Sequence, residues 1–587
     1  MKKIKVGLGT CGVSAGGELV YNKLKQSISE LNLDVELSET GCMGMCYEEA
    51  LVEIEDDNDK YLYSKVSVDK VGRIINEHII NNQPINDWII KSSQVSKEES
   101  FLKHQTRIVL RNCGEINPSS IDDYIAKNGY NAIQKVLNEY SQQDVIEIVT
   151  KSGLRGRGGA GFATGMKWKF ANQSVADKKY IICNADEGDP GAFMDRSVLE
   201  GDPHSVLEGM MIAGYTIGAD EGIIYARAEY PLAIKRLKNA LQQCRQKGIL
   251  GKNIFGTSFS FDIRIKEGAG AFVCGEETAL MASVEGRRGI PRIRPPFPAV
   301  SGLWGKPTNI NNVETNANVP WIILNGWQAF ASMGTEKSKG SKVFALAGKI
   351  KRSGLIEVPM GMTINQIVFD VGGGIKNDRK FKAVQIGGPS GGCIPASMGD
   401  LRIDYDEIVK TGAIVGSGGL IVLDDTTCMV DLARYFLNFT QLESCGKCTF
   451  CRIGTKRMLE ILERITEGHG KESDIDLLEN LAMQIKSASL CGLGQSAPNP
   501  VLTTIKYFRE EYEEHILNKR CPTHSCSSLI TYNIIEEKCK GCGVCIKACP
   551  TGAITGKKKE LHYINYELCI KCGKCYESCR LDAVEKI

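Results

Sequence analysis

A chain of 587 residues is too long for a single small module, and at roughly 150 residues per domain it predicts about four domains. Its 72 Lys and Arg residues against 70 Asp and Glu leave a formal charge of +2, which excludes a general electrostatic attraction for nucleic acid or anionic membranes. The 23 cysteines exceed what scattered core thiols need but fall far below a disulfide scaffold. Because several ordinary cores can be buried in a chain of this size, clustered thiols indicate bound metal.

The sequence contains no recognisable targeting segment. Residues 1–7 are basic and lack an apolar signal-peptide core, and no uncharged apolar run approaches the ~18 to 20 residues that span a bilayer. We therefore expect a soluble, cytoplasmic protein, in a compartment where a reducing poise keeps thiols free to bind metal.

Hydrophobic periodicity, glycine content and cysteine spacing predict a multidomain α/β protein made of six segments. Strand-like runs that alternate with helical ones indicate a parallel sheet in the third segment, and helix-spaced leucines indicate a bundle in the fifth. The segments are a β-α-β zone (1–90), a polar linker (91–119), a glycine-rich α/β domain (120–340), a small mixed β domain (341–425), a helical bundle (426–518) and a cysteine repeat (519–587).

The cysteine repeat recurs after 30 residues and has the spacing of a bacterial ferredoxin. Three thiolates spaced by two residues bind one face of a [4Fe–4S] cluster, while the fourth ligates the other cluster. Two zinc knuckles are the alternative, but zinc sites seldom repeat this cysteine spacing. The predicted ligand sets are Cys539, Cys542, Cys545 and Cys579 for one cluster and Cys569, Cys572, Cys575 and Cys549 for the other.

The glycine-rich domain opens with a loop over residues 153–170 that leads toward a helix. Such a loop allows backbone N–H groups to approach a phosphate closely because no Cβ stands in the way. Glycine loops alone are weak evidence, but four further motifs follow this one: Cys183-Asn-Ala-Asp-Glu-Gly-Asp-Pro190, Gly268-Ala-Gly-Ala-Phe-Val-Cys-Gly-Glu-Glu-Thr278, Pro291-Arg-Ile-Arg-Pro-Pro-Phe-Pro298 and Ile310-Asn-Asn-Val-Glu-Thr315.

Together these motifs resemble the flavin-bearing, NADH-oxidising subunit of respiratory complex I and its relatives in NAD-linked hydrogenases and formate dehydrogenases. With its flanking segments the chain resembles the beta (HydB-type) subunits of multimeric electron-bifurcating [FeFe]-hydrogenases. The resemblance implies a thioredoxin-like N-terminal domain, a Rossmann-like FMN and NADH domain, a β-grasp (ubiquitin-like) insert, a helical-bundle [4Fe–4S] domain and a C-terminal ferredoxin domain.

The resemblance also implies a flavin pocket and a nucleotide site. The residues carried over to FMN are Gly156, Gly158, Lys167, Asn184, Asp186, Glu187, Gly275, Glu276, Asn311 and Asn312. Those carried over to NAD are Phe162, Phe170, Asp189, Glu277, Arg294 and Phe297. Asp189 and Glu277 are the candidate catalytic residues, because they would position NAD while FMN takes the hydride. A carboxylate beside the adenine ribose favours NAD, whereas an arginine accepts the NADP phosphate, so Asp189 and Arg294 leave this preference open.

A further [4Fe–4S] cluster is expected in the helical bundle. The resemblance assigns it to Cys445, Cys448, Cys451 and Cys491, at the position that receives electrons from reduced flavin. Zinc is the alternative metal for these four thiols.

The N-terminal segment is similar to thioredoxin-like [2Fe–2S] domains but offers only three cysteines. Cys11, Cys42 and Cys46 match the pattern, whereas Val6 stands where the leading cysteine is expected. Either a [2Fe–2S] cluster persists with a ligand such as Ser14, or the domain has lost its cluster and serves docking.

A zinc site is a candidate between the bundle and the ferredoxin segment. Cys521 and Cys526 would bind zinc with His515 and His469, and His524 is a rival ligand. Buried residues without metal are the alternative. The remaining thiols have no partners by spacing and are expected in the core: Cys113, Cys183, Cys244, Cys274, Cys393 and Cys428.

These features predict an NAD(H), FMN and iron–sulfur oxidoreductase subunit. The expected partners are an [FeFe]-hydrogenase catalytic subunit, a small thioredoxin-like [2Fe–2S] subunit and ferredoxin, in a hetero-oligomer. The alternatives are the same module in an NADP-reducing hydrogenase, an NAD-dependent formate dehydrogenase or another bifurcating oxidoreductase. A flavin-free iron–sulfur relay or assembly module is the alternative from another class.

Overall fold

The computed structural model describes residues 2–57, 59–95 and 99–587. These residues form two units, one made of residues 1–422 and 490–493 and the other of 423–489 and 494–587. The predicted linker, 91–119, belongs to the first unit, and its residues 96–98 lie outside the described part of the chain.

The first unit begins with a five-stranded sheet in the order β2-β1-β3-β4-β5, in which β1 and β2 are parallel and the other neighbours are antiparallel. The predicted β-α-β order is present because α2 connects β1 to β2. The strands are β1 (Lys2–Gly7), β2 (Val35–Thr40), β3 (Val52–Glu55), β4 (Lys60–Tyr63) and β5 (Ile89–Lys91), and the helices are α1 (Thr10–Ser14), α2 (Gly17–Glu30) and α3 (Val68–Arg73).

The predicted linker contains a short helix, α4 (Glu99–Lys103), and a buried stretch. Ile108, Val109 and Leu110 lie in the main hydrophobic core. All three backbone N–H groups donate to the carboxylate of Glu357, at 2.9 to 3.0 Å. This part of the segment is therefore packed against the glycine-rich domain and the mixed β domain rather than exposed as a linker.

The glycine-rich segment folds around a four-stranded parallel sheet, β8-β7-β6-β9, as the alternation of strand and helix patterns predicts. α10 is the central helix, and nearly every residue of it is buried. The strands are β6 (Tyr180–Ala185), β7 (Glu221–Arg227), β8 (Asp262–Gly268) and β9 (Thr308–Asn312). The helices are α5 (Ile121–Ala126), α6 (Asn131–Glu139), α7 (Gln142–Ser152), α8 (Thr164–Gln173), α9 (Met194–Gly201), α10 (Pro203–Ile217), α11 (Pro231–Gln246), α12 (Glu277–Val284), α13 (Val313–Asn325) and α14 (Trp327–Ala331).

A mixed five-stranded sheet follows, in the order β11-β10-β14-β12-β13. β10 is parallel to β14 and antiparallel to β11, which agrees with the predicted mixed β domain. Its elements are β10 (Ser341–Gly348), β11 (Gly354–Pro359), β12 (Phe381–Ile386), β13 (Gly392–Pro395), α15 (Tyr405–Thr411) and β14 (Gly419–Asp424).

The second unit contains a helical bundle and a small domain with two short antiparallel ladders, β15 with β18 and β16 with β17. The apolar faces of the four longer helices share one core. The helices of this part of the chain are α16 (Met429–Leu442), α17 (Thr455–Thr466), α18 (Asp474–Ala488), α19 (Gly492–Ser496) and α20 (Asn499–Leu517). The small domain comprises β15 (Tyr532–Ile534), α21 (Val544–Ala548), β16 (Ile554–Thr555), β17 (Tyr563–Ile564), α22 (Lys574–Ser578) and β18 (Val584–Lys586).

Candidate flavin, nucleotide and metal sites

The glycine loop folds back on itself before α8 begins. The Gly156 N–H donates to the Phe162 carbonyl at 2.8 Å, and Gly159 has a φ of +124°, which side chains rarely adopt. A Cβ on Gly156 would meet no atom closer than 3.6 Å, so the backbone there is open to a ligand. An open cavity of about 400 Å³ adjoins the loop, and Phe162 and Ala163 are among its lining residues.

The start of α8 is suited to an anion. Its N-cap residue, Ala163, has no side chain that could accept the free N–H groups of the first turn. Thr164 follows, and its buried hydroxyl has no hydrogen-bond partner among the described residues. A glycine loop that leads to an uncapped helix start fits the phosphate of a flavin nucleotide.

Several of the predicted flavin residues lie at the carboxyl ends of the parallel strands, where open α/β sheets bind ligands. Asn184 is the second-to-last residue of β6, and its Nδ2 donates to the Gly275 carbonyl at 2.9 Å. The Asp186 N–H in turn donates to Asn184 Oδ1 at 3.0 Å. These contacts tie the loop before α12 to the end of β6, so that Asn184, Asp186 and Gly275 lie together.

Glu277 lies between two cations. Its carboxylate contacts Lys167 Nζ at 3.3 Å and Arg294 Nη1 at 2.5 Å, and the Lys167 Nζ also donates to the Ile310 carbonyl. Burial opposes ionisation, but the positive charges of Lys167 and Arg294 outweigh it and lower the pKa of Glu277. The structure thus brings together one residue predicted for FMN and two predicted for NAD.

Four other predicted flavin residues make contacts inside the protein. Glu187 accepts the backbone N–H groups of Asp195 and Arg196 at the start of α9. Glu276 accepts two N–H groups at the start of α12, and Asn312 accepts one at the start of α13. Asn311 Oδ1 accepts from the Trp168 indole at 2.9 Å. In this structure these side chains fix the helices and strands around the pocket.

Gly158 lies close to this inner layer. A Cβ on Gly158 would come within 3.0 Å of the Asn312 Cβ, so the glycine allows the loop to approach β9. The three predicted aromatic side chains are in contrast half exposed, at 55% for Phe162, 45% for Phe170 and 56% for Phe297. Exposed rings of this kind are available to stack on a base.

Asp189 receives a hydrogen bond from a residue that the sequence interpretation missed. The Ser417 hydroxyl donates to Asp189 Oδ2 at 2.6 Å. The backbone carbonyl of Ser417 accepts a hydrogen bond from Lys342 Nζ, which also forms an ion pair with Glu314. Burial raises the pKa of Asp189 to about 6, against the Ser417 hydrogen bond, which lowers it. The glycine-rich run 416–419 is the sequence signal for such a close approach, but it lies outside the domain predicted to bind the nucleotide.

The small C-terminal domain contains two cavities lined by cysteines. The first is lined by Cys539, Cys542, Cys545 and Cys579, and the second by Cys549, Cys569, Cys572 and Cys575. Each cavity thus receives three cysteines from one repeat and the fourth from the other. Burial raises the pKa of the Cys545 thiol to about 11, so binding iron at this position requires the thiol to lose its proton.

The three cysteines predicted at the start of the bundle cluster lie between α16 and α17. Cys451 is buried in a π-helical turn that leads into α17, and its Sγ lies 3.3 Å from the Ser444 hydroxyl. Cys445 and Cys448 are partly exposed. Cys491 belongs to the stretch 490–493, and its role as the fourth ligand stays a prediction.

Comparison with protein families gives three matches along the chain. Residues 149–321 match the Nuo51 FMN-binding domain, and residues 431–515 match the NADH-ubiquinone oxidoreductase-F iron-sulfur binding region. Residues 532–555 and 562–585 match the 4Fe-4S binding domain.

Whole-length relatives agree with these matches. The chain is 57% identical over 484 residues to the NADP-reducing hydrogenase subunit HndC of Solidesulfovibrio fructosivorans. The aligned region covers 82% of this chain and 98% of the relative. It is 44% identical to an NADH-quinone oxidoreductase subunit of Aquifex aeolicus, covering 68% of this chain and 91% of that one.

The chain belongs to the family of FMN-binding, NADH-oxidising iron–sulfur subunits of complex I and NAD(P)-linked hydrogenases. A crystal structure of the NAD+-reducing [NiFe]-hydrogenase in the H2-reduced state is similar to this member of the family, with a TM-score of 0.63 and 30% identity over 88% of this chain and 84% of that one. None of the helices in the described ranges combines the length and apolarity that a bilayer crossing requires.

This member of the family brings three N-terminal cysteines together. The sulfurs of Cys11, Cys42 and Cys46 all lie within 4.8 Å of one another. Hydrogen bonds from Cys42 and Cys46 lower the pKa of Cys11 to about 3. Val6 is fully buried in β1, and Ser14 is exposed at the end of α1.

A second group joins residues from both ends of the bundle. Ligand atoms of Cys428, His515, Cys521 and Cys526 lie within 4.8 Å of one another, and all four side chains are buried. The sequence interpretation placed Cys428 in the core and chose His469 as the second histidine. In the structure Cys428 completes the group instead, and His469 is not part of it.

The hydrogen bonds of this group suit a metal ion. His515 Nδ1 lies 2.7 Å from the Glu511 carbonyl, which can only accept, so Nδ1 carries a proton and Nε2 faces the thiols. Burial opposes protonation, but hydrogen bonds with Cys428 and Cys521 raise the pKa of His515 to about 10, so a metal bound at Nε2 would displace a proton. Hydrogen bonds from Cys428 and Cys526 lower the pKa of Cys521 far below its usual value. Three thiols and one correctly oriented imidazole form a ligand set of the kind that structural zinc uses.

Proposed function

We propose that this chain is the NAD(P)(H)-linked flavin subunit of a multisubunit electron-bifurcating hydrogenase. The observation that carries the proposal is the presence on one chain of a region that matches the Nuo51 FMN-binding domain and two cysteine-lined cavities in the ferredoxin repeat. The first provides a place for a two-electron donor, and the second provides places for one-electron carriers.

The residues of the pocket support binding and positioning. The glycine loop with Gly156, Gly158 and the start of α8 would hold the FMN phosphate, and Lys167, Asn184, Asp186 and Gly275 would border the ring. When bound, FMN supplies the exchange between a hydride and single electrons.

The remaining residues of the pocket act on the nucleotide. Glu277, held ionised by Lys167 and Arg294, would accept hydrogen bonds from ribose hydroxyls. Asp189 would bind the second ribose. Phe162, Phe170 and Phe297 would stack on the rings of NAD. Hydride transfer depends on this alignment rather than on a proton donor in the protein.

Four metal centres complete the proposal. Cys445, Cys448, Cys451 and Cys491 would bind the [4Fe–4S] cluster that takes electrons from the flavin, and the two C-terminal cavities would bind one each. Cys428, His515, Cys521 and Cys526 would bind zinc. The three N-terminal cysteines leave a choice between a [2Fe–2S] cluster with a non-cysteine ligand and a domain without a cluster.

The expected partners are an [FeFe]-hydrogenase catalytic subunit, a small thioredoxin-like [2Fe–2S] subunit and ferredoxin. The similarity to HndC, described as a subunit of an NADP-reducing hydrogenase, supports a hydrogenase complex and also supports NADP as the nucleotide. An NAD-dependent formate dehydrogenase and other bifurcating oxidoreductases use the same module and remain the second candidates.

Two measurements test this function. The purified chain, reconstituted with iron, sulfide and FMN, should reduce a one-electron dye with NADH or NADPH. Absence of flavin absorbance together with absence of dye reduction would favour the flavin-free relay. The complex purified from its native source should reduce ferredoxin with H2 only while NAD+ or NADP+ is reduced as well, and ferredoxin reduction without the nucleotide would contradict bifurcation.

A further inference from the structure

A buried histidine lies beside the first cysteine-lined cavity of the C-terminal domain. His562 is 2% exposed, and its Nδ1 lies 3.3 Å from Cys545 Sγ. It lines the same cavity as Cys539, Cys542, Cys545 and Cys579. Gly556 makes room for the ring, because a Cβ there would lie 2.2 Å from His562 Cδ2.

The chemistry of a cluster ligand decides which atom donates. A cysteine that binds iron is a thiolate and can only accept a hydrogen bond, so the proton must reside on Nδ1 of His562 if the contact is kept. The opposite nitrogen, Nε2, is buried and has no hydrogen-bond partner among the described residues. Among the described residues the imidazole therefore has one hydrogen-bond partner, and that partner is the sulfur of a predicted cluster ligand.

The 30-residue repeat provides an internal comparison. Cys575 follows Cys545 by 30 residues and is its counterpart, and Tyr532 precedes His562 by the same interval and is the counterpart of the histidine. Tyr532 lines the second cavity in the corresponding place. Among the residues that line this second cavity there is no histidine.

The two halves are thus matched in their cysteines but differ in their side-chain donors. The first cavity has the buried His562, whereas the second has the Thr551 hydroxyl, 3.7 Å from Cys549 Sγ, and the counterpart of Thr551 in the repeat is Leu581. The Thr551 contact is longer and exposed, so it is the weaker of the two.

We propose that His562 is a positioning residue that donates an N–H···S hydrogen bond to the Cys545 ligand and holds the first [4Fe–4S] cluster at a higher reduction potential than the second. Each cluster takes up one electron without forming or breaking a bond. A hydrogen bond to a ligand sulfur offsets part of the added negative charge, so it favours the reduced state. Electrons that enter this domain then collect on the first cluster. The inference rests on the proposed function in that both cavities must hold clusters.

The test uses the full chain with all clusters reconstituted and measures reduction potentials by titration monitored with electron paramagnetic resonance. His562→Leu removes the donor, His562→Asn keeps an N–H near the position of Nδ1, and Tyr532→Phe alters the matching place in the other half. We expect one [4Fe–4S] potential to become more negative in H562L, to stay near the wild-type value in H562N, and to be unmoved in Y532F. Equal potentials in wild type and H562L, or an equal shift in H562N and H562L, would overturn the inference.

A second measurement keeps the inference testable if H562L assembles poorly. In the reduced wild-type chain labelled with ¹⁵N-histidine, we expect a weak ¹⁵N coupling at one [4Fe–4S] cluster, and we expect this coupling to be lost in H562N. Its absence from the wild type contradicts the hydrogen bond. Iron analysis distinguishes the two failures: a wild-type domain that binds no cluster refutes the cluster assignment, whereas intact clusters without the coupling refute only the role of His562.

Discussion

The Cys428 thiol lies 3.4 Å from the Nε2 atom of His515, although 87 residues separate them in the chain. The same nitrogen lies 3.4 Å from Cys526 Sγ, so one imidazole joins the start of α16 to the segment after α20. A metal ion at this point would connect parts of the second unit that are distant in sequence.

Replacing Cys428 with Ser should therefore abolish the zinc binding that we propose for this group. Zinc prefers thiolate and imidazole ligands, and a serine hydroxyl binds it poorly, so metal analysis should fall from about one zinc per chain to a small fraction of that. His469→Gln is the matched control, because His469 lies outside the group, and it should retain the metal. Loss of zinc from H469Q with retention in C428S would refute the ligand set.

Replacing Glu277 with Gln should weaken nucleotide binding. A charge-assisted hydrogen bond contributes about 1.5 to 3 kcal/mol, so the KM for the nucleotide should rise roughly tenfold or more in dye-reduction assays. Because the cations lower the pKa of Glu277, the wild-type carboxylate stays ionised around neutral pH and should add no step to the pH profile there. Glu267→Gln, at an exposed pair with Lys238, should leave KM unchanged. An unchanged KM in E277Q would contradict the proposed role.

Asp189 should give a step in the pH profile near pH 6. Its pKa is raised to about 6, so the carboxyl is neutral below this pH and charged above it. If Asp189 binds the ribose as proposed, its charged form repels the additional phosphate of NADPH. The ratio of the KM for NADPH to that for NADH should therefore rise as the pH increases from 5 to 7. Asp189→Asn should abolish the step.

Ser417→Ala gives a second measurement on the same group. The Ser417 hydroxyl stabilises the charged carboxylate, so its removal should raise the pKa of Asp189 and move the step to higher pH. A step that stays near pH 6 in both D189N and S417A would arise from another group.

Replacing Glu357 with Gln should destabilise the first unit. Glu357 is fully buried and accepts three backbone N–H groups and the Ser341 hydroxyl. A glutamine would present an NH2 group to some of these donors, which should cost about 3 kcal/mol in the free energy of unfolding measured with denaturant. Glu407→Gln, at an exposed pair with Lys410, should change it by less than about 0.5 kcal/mol. Equal effects of the two variants would contradict this account.

The sequence-based predictions of the parallel sheet and of the ferredoxin cysteines rest on local spacing. The alternation of strands and helices in 120–340 predicts a parallel sheet because each pattern extends over only one element. The ferredoxin rhythm predicts which cysteines meet, including the exchange of Cys549 and Cys579 between the halves, because the repeat fixes both the spacing and the symmetry.

Contacts between segments that are distant in the sequence could not be predicted from spacing. No spacing rule relates Cys428 to His515, and Ser417 lies in a different predicted domain from Asp189. The polarity of residues 91–102 suggested a linker, but the burial of Ile108 to Leu110 depends on Glu357, which lies about 250 residues further along. Residues such as Glu187 and Asn311 are assigned to the flavin by resemblance, but which groups their side chains contact depends on how distant elements pack in the fold.

The exchange of cysteines between the two repeats has a consequence for biosynthesis. The first cavity has three of its cysteines once residue 545 has been made, but it lacks the fourth until residue 579. The first cysteine of the second cavity, Cys549, is made later than these three of the first, but its last cysteine, Cys575, is made before Cys579. The ribosome therefore finishes the two sites in the reverse of the order in which it begins them, and iron–sulfur assembly has no complete site to fill until nearly the whole repeat has been translated.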